Sequence, residues 1–339
     1  MKSSPPQLVE RLLEGLAAGD RGAISEALNL VDDRRSEQRE AALELLDGLA
    51  SQSANTDASL PARASHRVGI TGAPGAGKSS LLNALVESLR DDAAGIGIIA
   101  VDPSSQRSGG ALLGDRMRLS GGARESGVFL RSMAARDRLG GLADATHAGA
   151  AVLSAVFERV FIETVGIGQS ECEVAGLVDT LVFVAQPGAG DTLQFMKAGI
   201  LELPDLFVVN KADTGPLAER TRSELQASLG LAGPGEDQGW QPPILLASAR
   251  DRQGIEALAE SIEAHRAHGL ASGQFEARRR KGRVDFGIES LARRYGEYGL
   301  ARLGGVQTIS DRLAAPREGS IFGAVLELGR EIEAAMGKR

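Results

Sequence analysis

Near the end of the first quarter of the chain stand residues whose types and order suit them to hold a chain of phosphates. Gly72-Ala73-Pro74-Gly75-Ala76-Gly77-Lys78-Ser79 follow the apolar run RVGIT and precede SLLNALVESL, which has helical periodicity. The pattern G-x-x-x-x-G-K-[ST] between a strand and a helix is that of a phosphate-binding loop. Small residues let successive backbone N–H groups point into one concavity, and the following helix adds the partial positive charge of its first turn. Lys78 is expected to reach the terminal phosphates, and Ser79 to offer its hydroxyl to a Mg²⁺ ion shared with them; Ser80 continues the loop into the helix. An ordinary glycine-rich turn is the plainer alternative, and the two flanking elements argue against it.

Asn210-Lys211-Ala212-Asp213 follows the run LFVV and bears on which base would accompany those phosphates. Guanine presents two adjacent donors, N1–H and the exocyclic amine, which one carboxylate such as Asp213 accepts together; adenine has an acceptor at that ring nitrogen. Guanine is therefore the expected base. Asn210 would brace the loop, the aliphatic stem of Lys211 would cover the ring, and Ser248-Ala249, after PILLA, would bring a backbone N–H to the guanine O6.

Asp102 at the end of GIGIIAVD, Asp115 in LGDR and Glu163 at the end of RVFIE are the carboxylates available to the metal. Mg²⁺ takes oxygen ligands, keeps several waters and commonly uses one or two carboxylates, so the three cannot all ligate it directly. Glu163 to Gly166 read E-T-V-G, where GTP-hydrolysing phosphate-loop proteins usually have D-x-x-G with the glycine N–H facing the γ-phosphate. The longer glutamate leaves direct and water-mediated contact both open. Ile167 occupies the place where small regulatory GTPases carry the glutamine that orients the attacking water. An aliphatic side chain cannot do this and Gln169 is two residues further on, so slow intrinsic turnover is expected, rising when a partner rearranges nearby loops. Arg107, Arg116 and Lys197 are the cations considered for that role.

These residues need a scaffold, and 339 residues with 42% hydrophobic and 24% charged content are enough for one large core or two smaller ones. Seven apolar runs, RVGIT, GIGIIAVD, GVFLRSM, RVFIETV, TLVFVAQ, LFVVNK and PILLAS, alternate with helix-length segments. This predicts an α/β fold with a mostly parallel sheet, helices on both faces and ligands at the carboxyl ends of the strands. Leu8, Leu12 and Leu16 recur at helical spacing before it, with polar breaks at Gly19-Asp20 and Asp32-Asp33. The resulting division is a helical segment and linker over 1–65, a nucleotide domain over 66–268 and a helical arm over 269–339. Within the arm Val284, Ile288, Leu291, Tyr295 and Tyr298 form one narrow stripe, and Ile321, Val325, Leu328 and Ile332 another. Such stripes need a second surface, either another copy of the chain or the chain's own sheet. The basic run Arg278 to Arg283 reads as a solvated face.

A formal charge of −7 disfavours nucleic acid as a partner, and no apolar run is long enough to span a membrane. The one cysteine, Cys172, cannot form an intrachain disulfide, and the opening residues include acidic ones where a signal peptide needs an apolar core. A cytoplasmic location is expected.

The ordered series GAPGAGKSS, AVDPSS, LLGDRMR, VFLRSMA with LGGLADAT, ETVGIGQSE, QPGAGDTLQFMKAGI and NKAD resembles the methylmalonyl-CoA mutase-associated GTPases, the MeaB/ArgK-type chaperones. The resemblance implies a phosphate-loop GTPase with GTP/GDP and Mg²⁺ as ligands, homodimeric through the C-terminal helices. It implies a partner, an adenosylcobalamin-dependent acyl-CoA mutase, whose cofactor loading it gates. It also places Asp102, Asp115 and Glu163 at the metal, Lys78 at the phosphates, and Gln186 to Lys197 in a further loop where Lys197 couples nucleotide to partner. Ala135-Arg136-Asp137-Arg138 departs from the family pattern, which has a glycine near Asp137. A GTP-driven nickel metallochaperone is the alternative from another class. It requires soft or imidazole ligands, and the chain offers one cysteine and four histidines, His66, His147, His265 and His268. The last two, three apart on a helix, read as surface residues. A non-catalytic scaffold would not need Lys78, Ser79 and the carboxylates together.

Overall fold

A computed structural model of the chain describes residues 5–33, 35–54, 65–89, 95–102, 127–134, 144–164, 170–188, 202–232, 239–316 and 319–337. In chain order the first elements are α1 (Pro5–Ala17), α2 (Arg21–Asp32), α3 (Ser36–Ala54), β1 (His66–Thr71), α4 (Lys78–Leu89), β2 (Ile96–Asp102), β3 (Val128–Ala134), α5 (Asp144–Ser154) and β4 (Arg159–Glu163). There follow α6 (Ser170–Leu177), β5 (Thr180–Ala185), β6 (Leu206–Val209), α7 (Pro216–Ala232), β7 (Ile244–Leu246), α8 (Ile255–Ser272), α9 (Gln274–Ala301), α10 (Gly305–Ala314) and α11 (Ile321–Gly337). They fall into two compact units, one of Ser65–Thr146 with Phe157–Phe275, the other of Met1–Ala64, His147–Val156 and Glu276–Arg339.

In the first unit each of the seven apolar runs forms a strand, and the sheet order is β3-β2-β4-β1-β5-β6-β7 with every described pairing parallel. Successive side chains of a strand point to opposite faces. Val182, Val184, Leu206 and Val208 accordingly join Leu81, Leu85, Leu258 and Ile262 of α4 and α8 in one core, while Phe183, Phe207 and Val209 meet Ala218 and Leu225 of α7 in another. With both faces covered, strands read as continuous apolar runs instead of alternating ones, which is why they stand out in the sequence.

His265 is not a surface residue. It is 1% exposed, its Nδ1 lies 2.8 Å from Thr180 Oγ1, and the same hydroxyl lies 2.7 Å from His66 Nε2. Its Nε2 lies 3.4 Å from Asp205 Oδ1. These groups sit at the amino ends of β1, β5 and β6, away from the phosphate loop, and the Thr180 hydroxyl gives a partner to one nitrogen of each histidine ring. His268 is half-buried, its ring beside Trp240. Helical spacing shows that two side chains share a face but not what that face meets.

In the helical unit Leu12 and Leu16 are buried as their spacing implies, and Asp20, in the first polar break, caps α2 by accepting from Ala23 N at 2.7 Å. The two C-terminal stripes find each other: Val284 and Leu291 of one and Leu328 and Ile332 of the other form one core with Leu300 of α9 and with Ile309 and Leu313 of α10. Their second surface is thus supplied by the chain's own helices. Gly296, at φ 64° and ψ −178°, interrupts α9, so Tyr298 beyond the break leaves the stripe and is 62% exposed. Asp47 of α3 accepts from Ser320 N at 2.7 Å, placing a carboxylate at the first turn of α11. Replacing Asp47 with alanine is expected to cost about 1–2 kcal/mol, the worth of a charged helix cap. Faster hydrogen exchange in the first turn of α11 and a lower melting midpoint would report it; unchanged exchange there would count against the tie.

Candidate nucleotide site

Strand register gathers the site at one sheet edge. Ile70 pairs with Glu163, Thr71 with Phe183, and Val209 with both Ala185 and Leu246, so the loops after β1, β4, β5, β6 and β7 leave from the same side. The Thr164 hydroxyl donates to Thr71 Oγ1 at 2.9 Å, holding the exits of β4 and β1 together.

The phosphate loop requires glycine at two positions for steric reasons. Gly72 has φ 134°, and a Cβ there would lie 2.1 Å from the carbonyl oxygen of Val184; Gly77 has φ 84°, and its Cβ would lie 2.5 Å from Asn210 Nδ2. Lys78 is buried, and its ammonium donates to the carbonyls of Gly72 at 2.8 Å and Ala73 at 3.1 Å, which aligns the side chain back along the loop. Pro74 and Gly75 are exposed at the loop's crest, Ala73 and Ala76 are buried beneath it, and Ser80 starts the outer face of α4.

The Ser79 hydroxyl donates to Glu163 Oε1 at 2.5 Å. Burial pushes the Glu163 carboxyl above its ordinary pKa, while the Ser79 hydrogen bond and the Lys78 ammonium pull it back. The other oxygen, Oε2, is buried with no hydrogen-bond partner among the described residues. A buried acceptor without a donor is costly, and a hydroxyl beside a carboxylate is a hard oxygen pair, so these two residues fit a Mg²⁺ ion.

Asn210 joins the two halves of the site. Its Nδ2 donates to Ala76 O at 2.9 Å and Gly77 O at 3.3 Å, and its Oδ1 accepts from Ala249 N at 3.3 Å. Lys211, in the left-handed region at φ 60°, sends Nζ to Gly75 O at 2.8 Å and Gln186 Oε1 at 3.1 Å. Its stem therefore spans from the N-K-A-D segment to the phosphate loop. Asp213 Oδ1 accepts from the Ser248 hydroxyl at 2.9 Å, and Arg250 Nη2 lies 3.1 Å from Oδ2. An oriented carboxylate beside a backbone N–H, set apart from a loop of N–H groups, can select a base at one end and hold phosphates at the other.

Residues 24–294 match the model of the family described as methylmalonyl Co-A mutase-associated GTPase MeaB. The chain belongs to this GTPase family. GTPase ArgK of Escherichia coli is 33% identical over 274 residues, covering 80% of each chain. The methylmalonic aciduria type A homolog, mitochondrial, of Mus musculus is 35% identical over 277 residues, covering 80% of this chain and 66% of that one. The crystal structure of an LAO/AO transport system kinase covers 98% of this chain and 99% of its own at a TM-score of 0.68; with 24% identity it speaks to the fold.

In this MeaB-family chain Asp102 ends β2, opposite Ala134 in the register. Asp115, Gly166 and Lys197 lie outside the described residues, as do Arg107, Arg116, Ile167, Gln169 and the segment 135–138. No cluster of three or more His, Cys, Asp or Glu able to hold a metal occurs among the described residues, and no helix among them is long and apolar enough to cross a membrane. Sequence reasoning missed Arg250 and the Gln186–Lys211 contact. The signal for Arg250 was its place directly after Ser248-Ala249; nothing in the sequence pairs Gln186 with Lys211.

Proposed function

We propose that this MeaB-family GTPase holds GTP and Mg²⁺ in the site above and serves as the chaperone of an adenosylcobalamin-dependent acyl-CoA mutase, methylmalonyl-CoA mutase foremost. The observation that carries the nucleotide part is Asn210, whose amide binds the phosphate loop on one side and the Ala249 N–H on the other. Base and phosphates are thereby read as one rigid object. The backbone N–H groups of Gly75, Gly77, Lys78 and Ser79 hold the phosphates, with Lys78 as their cation; Asp213 accepts from N1–H and the 2-amine of guanine, and the Ala249 N–H, whose bond to Asn210 Oδ1 is a long 3.3 Å, turns to donate to O6. Ser79 and Glu163 would hold Mg²⁺, with Asp102 and Asp115 available to its water shell, and the ion would supply positive charge against the phosphates. In hydrolysis a water oxygen bonds to the γ-phosphorus, the bond to the β–γ bridging oxygen breaks, GDP leaves with that electron pair, and the water's proton is released.

Ile167 in place of a glutamine supports slow turnover without a partner, and Lys197, eleven positions after Gln186 in the sequence, is the proposed link to the mutase. The family description and the mouse relative's name support the client. A cytoplasmic location and a homodimer formed through the C-terminal helices complete the proposal. Pull-down from native lysate with a non-hydrolysable GTP analogue should capture an acyl-CoA mutase, and adding that mutase should raise GTP turnover by about tenfold or more, up to the roughly 10³- to 10⁵-fold that a supplied activating group gives. Absence of a mutase, or turnover indifferent to it, would remove the chaperone role and leave the GTPase.

A further inference from the structure

Both oxygens of Asp213 are engaged by the protein itself. Ser248 Oγ donates to Oδ1 at 2.9 Å, and the Arg250 guanidinium faces Oδ2 at 3.1 Å. A guanidinium and the guanine edge present the same chemistry, N–H donors side by side in one plane, and an ionised carboxylate accepts either. The two cannot use Oδ2 in the same way at once.

Arg250 is built to let go. Its side chain is 73% exposed, and a second carboxylate, Asp251, holds the fork through Nε–H to Oδ1 at 2.9 Å and Nη2–H to Oδ2 at 3.1 Å. Asp251 is anchored in turn, its N–H donating to Ser248 Oγ at 3.1 Å. Release from Asp213 thus leaves the guanidinium paired. Resting on the assignment of Asp213 to guanine made above, we infer that Arg250 is a resident competitor for that carboxylate, which the incoming base displaces and which sets the rate of guanine-nucleotide association.

Removing a cation beside a site for a polyanion should slow association at low salt. If Arg250 must first leave Asp213, Arg250→Met, which keeps the aliphatic stem and drops the guanidinium, should instead speed association of a fluorescent GDP roughly two- to fivefold, the scale of an exposed ion pair. Stopped-flow association is read separately from dissociation, so contacts that the side chain makes with a bound ring do not enter. The gain should shrink as salt rises, and it should vanish in an Asp213→Asn background, assayed with fluorescent XDP. An Arg250→Met rate equal to or below the parent's would overturn the inference. If Asp213→Asn still moves base preference toward xanthine in that case, the base assignment stands without Arg250; if preference does not move, the assignment fails and the competitor with it.

Discussion

Replacing Lys78 with alanine is expected to lower GTP turnover about 10²- to 10³-fold, the loss seen when a donor to developing transition-state charge is removed. The structure gives a reason for so large an effect. The Lys78 ammonium is buried and aligned by two carbonyls, those of Gly72 and Ala73, so it is held in place before any substrate arrives. A preorganised charge does not have to be reoriented as negative charge builds on the transferring phosphoryl group. The same bonds predict a second effect. Without the ammonium the Gly72 carbonyl loses that donor, while the Ala73 carbonyl keeps the Ala76 N–H at 3.2 Å, and the protein should lose about 1–3 kcal/mol of stability as well. Single-turnover hydrolysis at saturating GTP, with a melting curve alongside, separates the two losses. Turnover within threefold of the parent would mean that Lys78 does not face the reacting phosphate. Arginine is not expected to rescue, because a planar fork does not fit where a compact ammonium meets two carbonyls.

Asp213→Asn should exchange the base that the site prefers. Guanine's two donors would lose a charged acceptor, and charge-assisted hydrogen bonds are worth about 1.5–3 kcal/mol each, so GTP affinity should fall about a hundredfold or more. Xanthine carries a carbonyl where guanine has its amine, and the new amide N–H₂ can donate to it, so XTP should bind the variant better than GTP. The Ser248 hydroxyl can still donate to the side-chain oxygen of Asn, so the loop keeps its orientation. Competition binding with GTP, XTP and ATP measures the exchange. Guanine preference surviving intact would show that another group reads the base.

Much of this was legible in the sequence for identifiable reasons. The phosphate loop uses consecutive backbone groups, so its chemistry is written in consecutive residues, Gly72 to Ser79. The strands were legible because both sheet faces are covered, which leaves runs such as TLVFVA uninterrupted by polar residues. Glu163 was legible as a carboxylate at a strand end, but its partner was not. It meets Ser79 because β1 and β4 pair with Ile70 opposite Glu163, and register is a property of two strands, not one.

The burial of His265 and the partner of the α9 stripe were illegible for the same reason. Periodicity assigns residues to a face, and only the packed chain decides what covers it: the hydroxyl of Thr180 for the histidine, α10 and α11 for the stripe. Asn210 and Arg250 extend the point to the site itself. Their types and positions are in the sequence, yet the bonds that join the phosphate loop to the base loop, and that place a guanidinium on Asp213, link segments brought together by the order of the strands. Sequence alone determined which chemical groups this protein has and which local conformations they favour, because those depend on neighbours along the chain. Tertiary structure alone decided which groups meet and how each carboxylate is occupied, because contacts between distant segments depend on strand order and register.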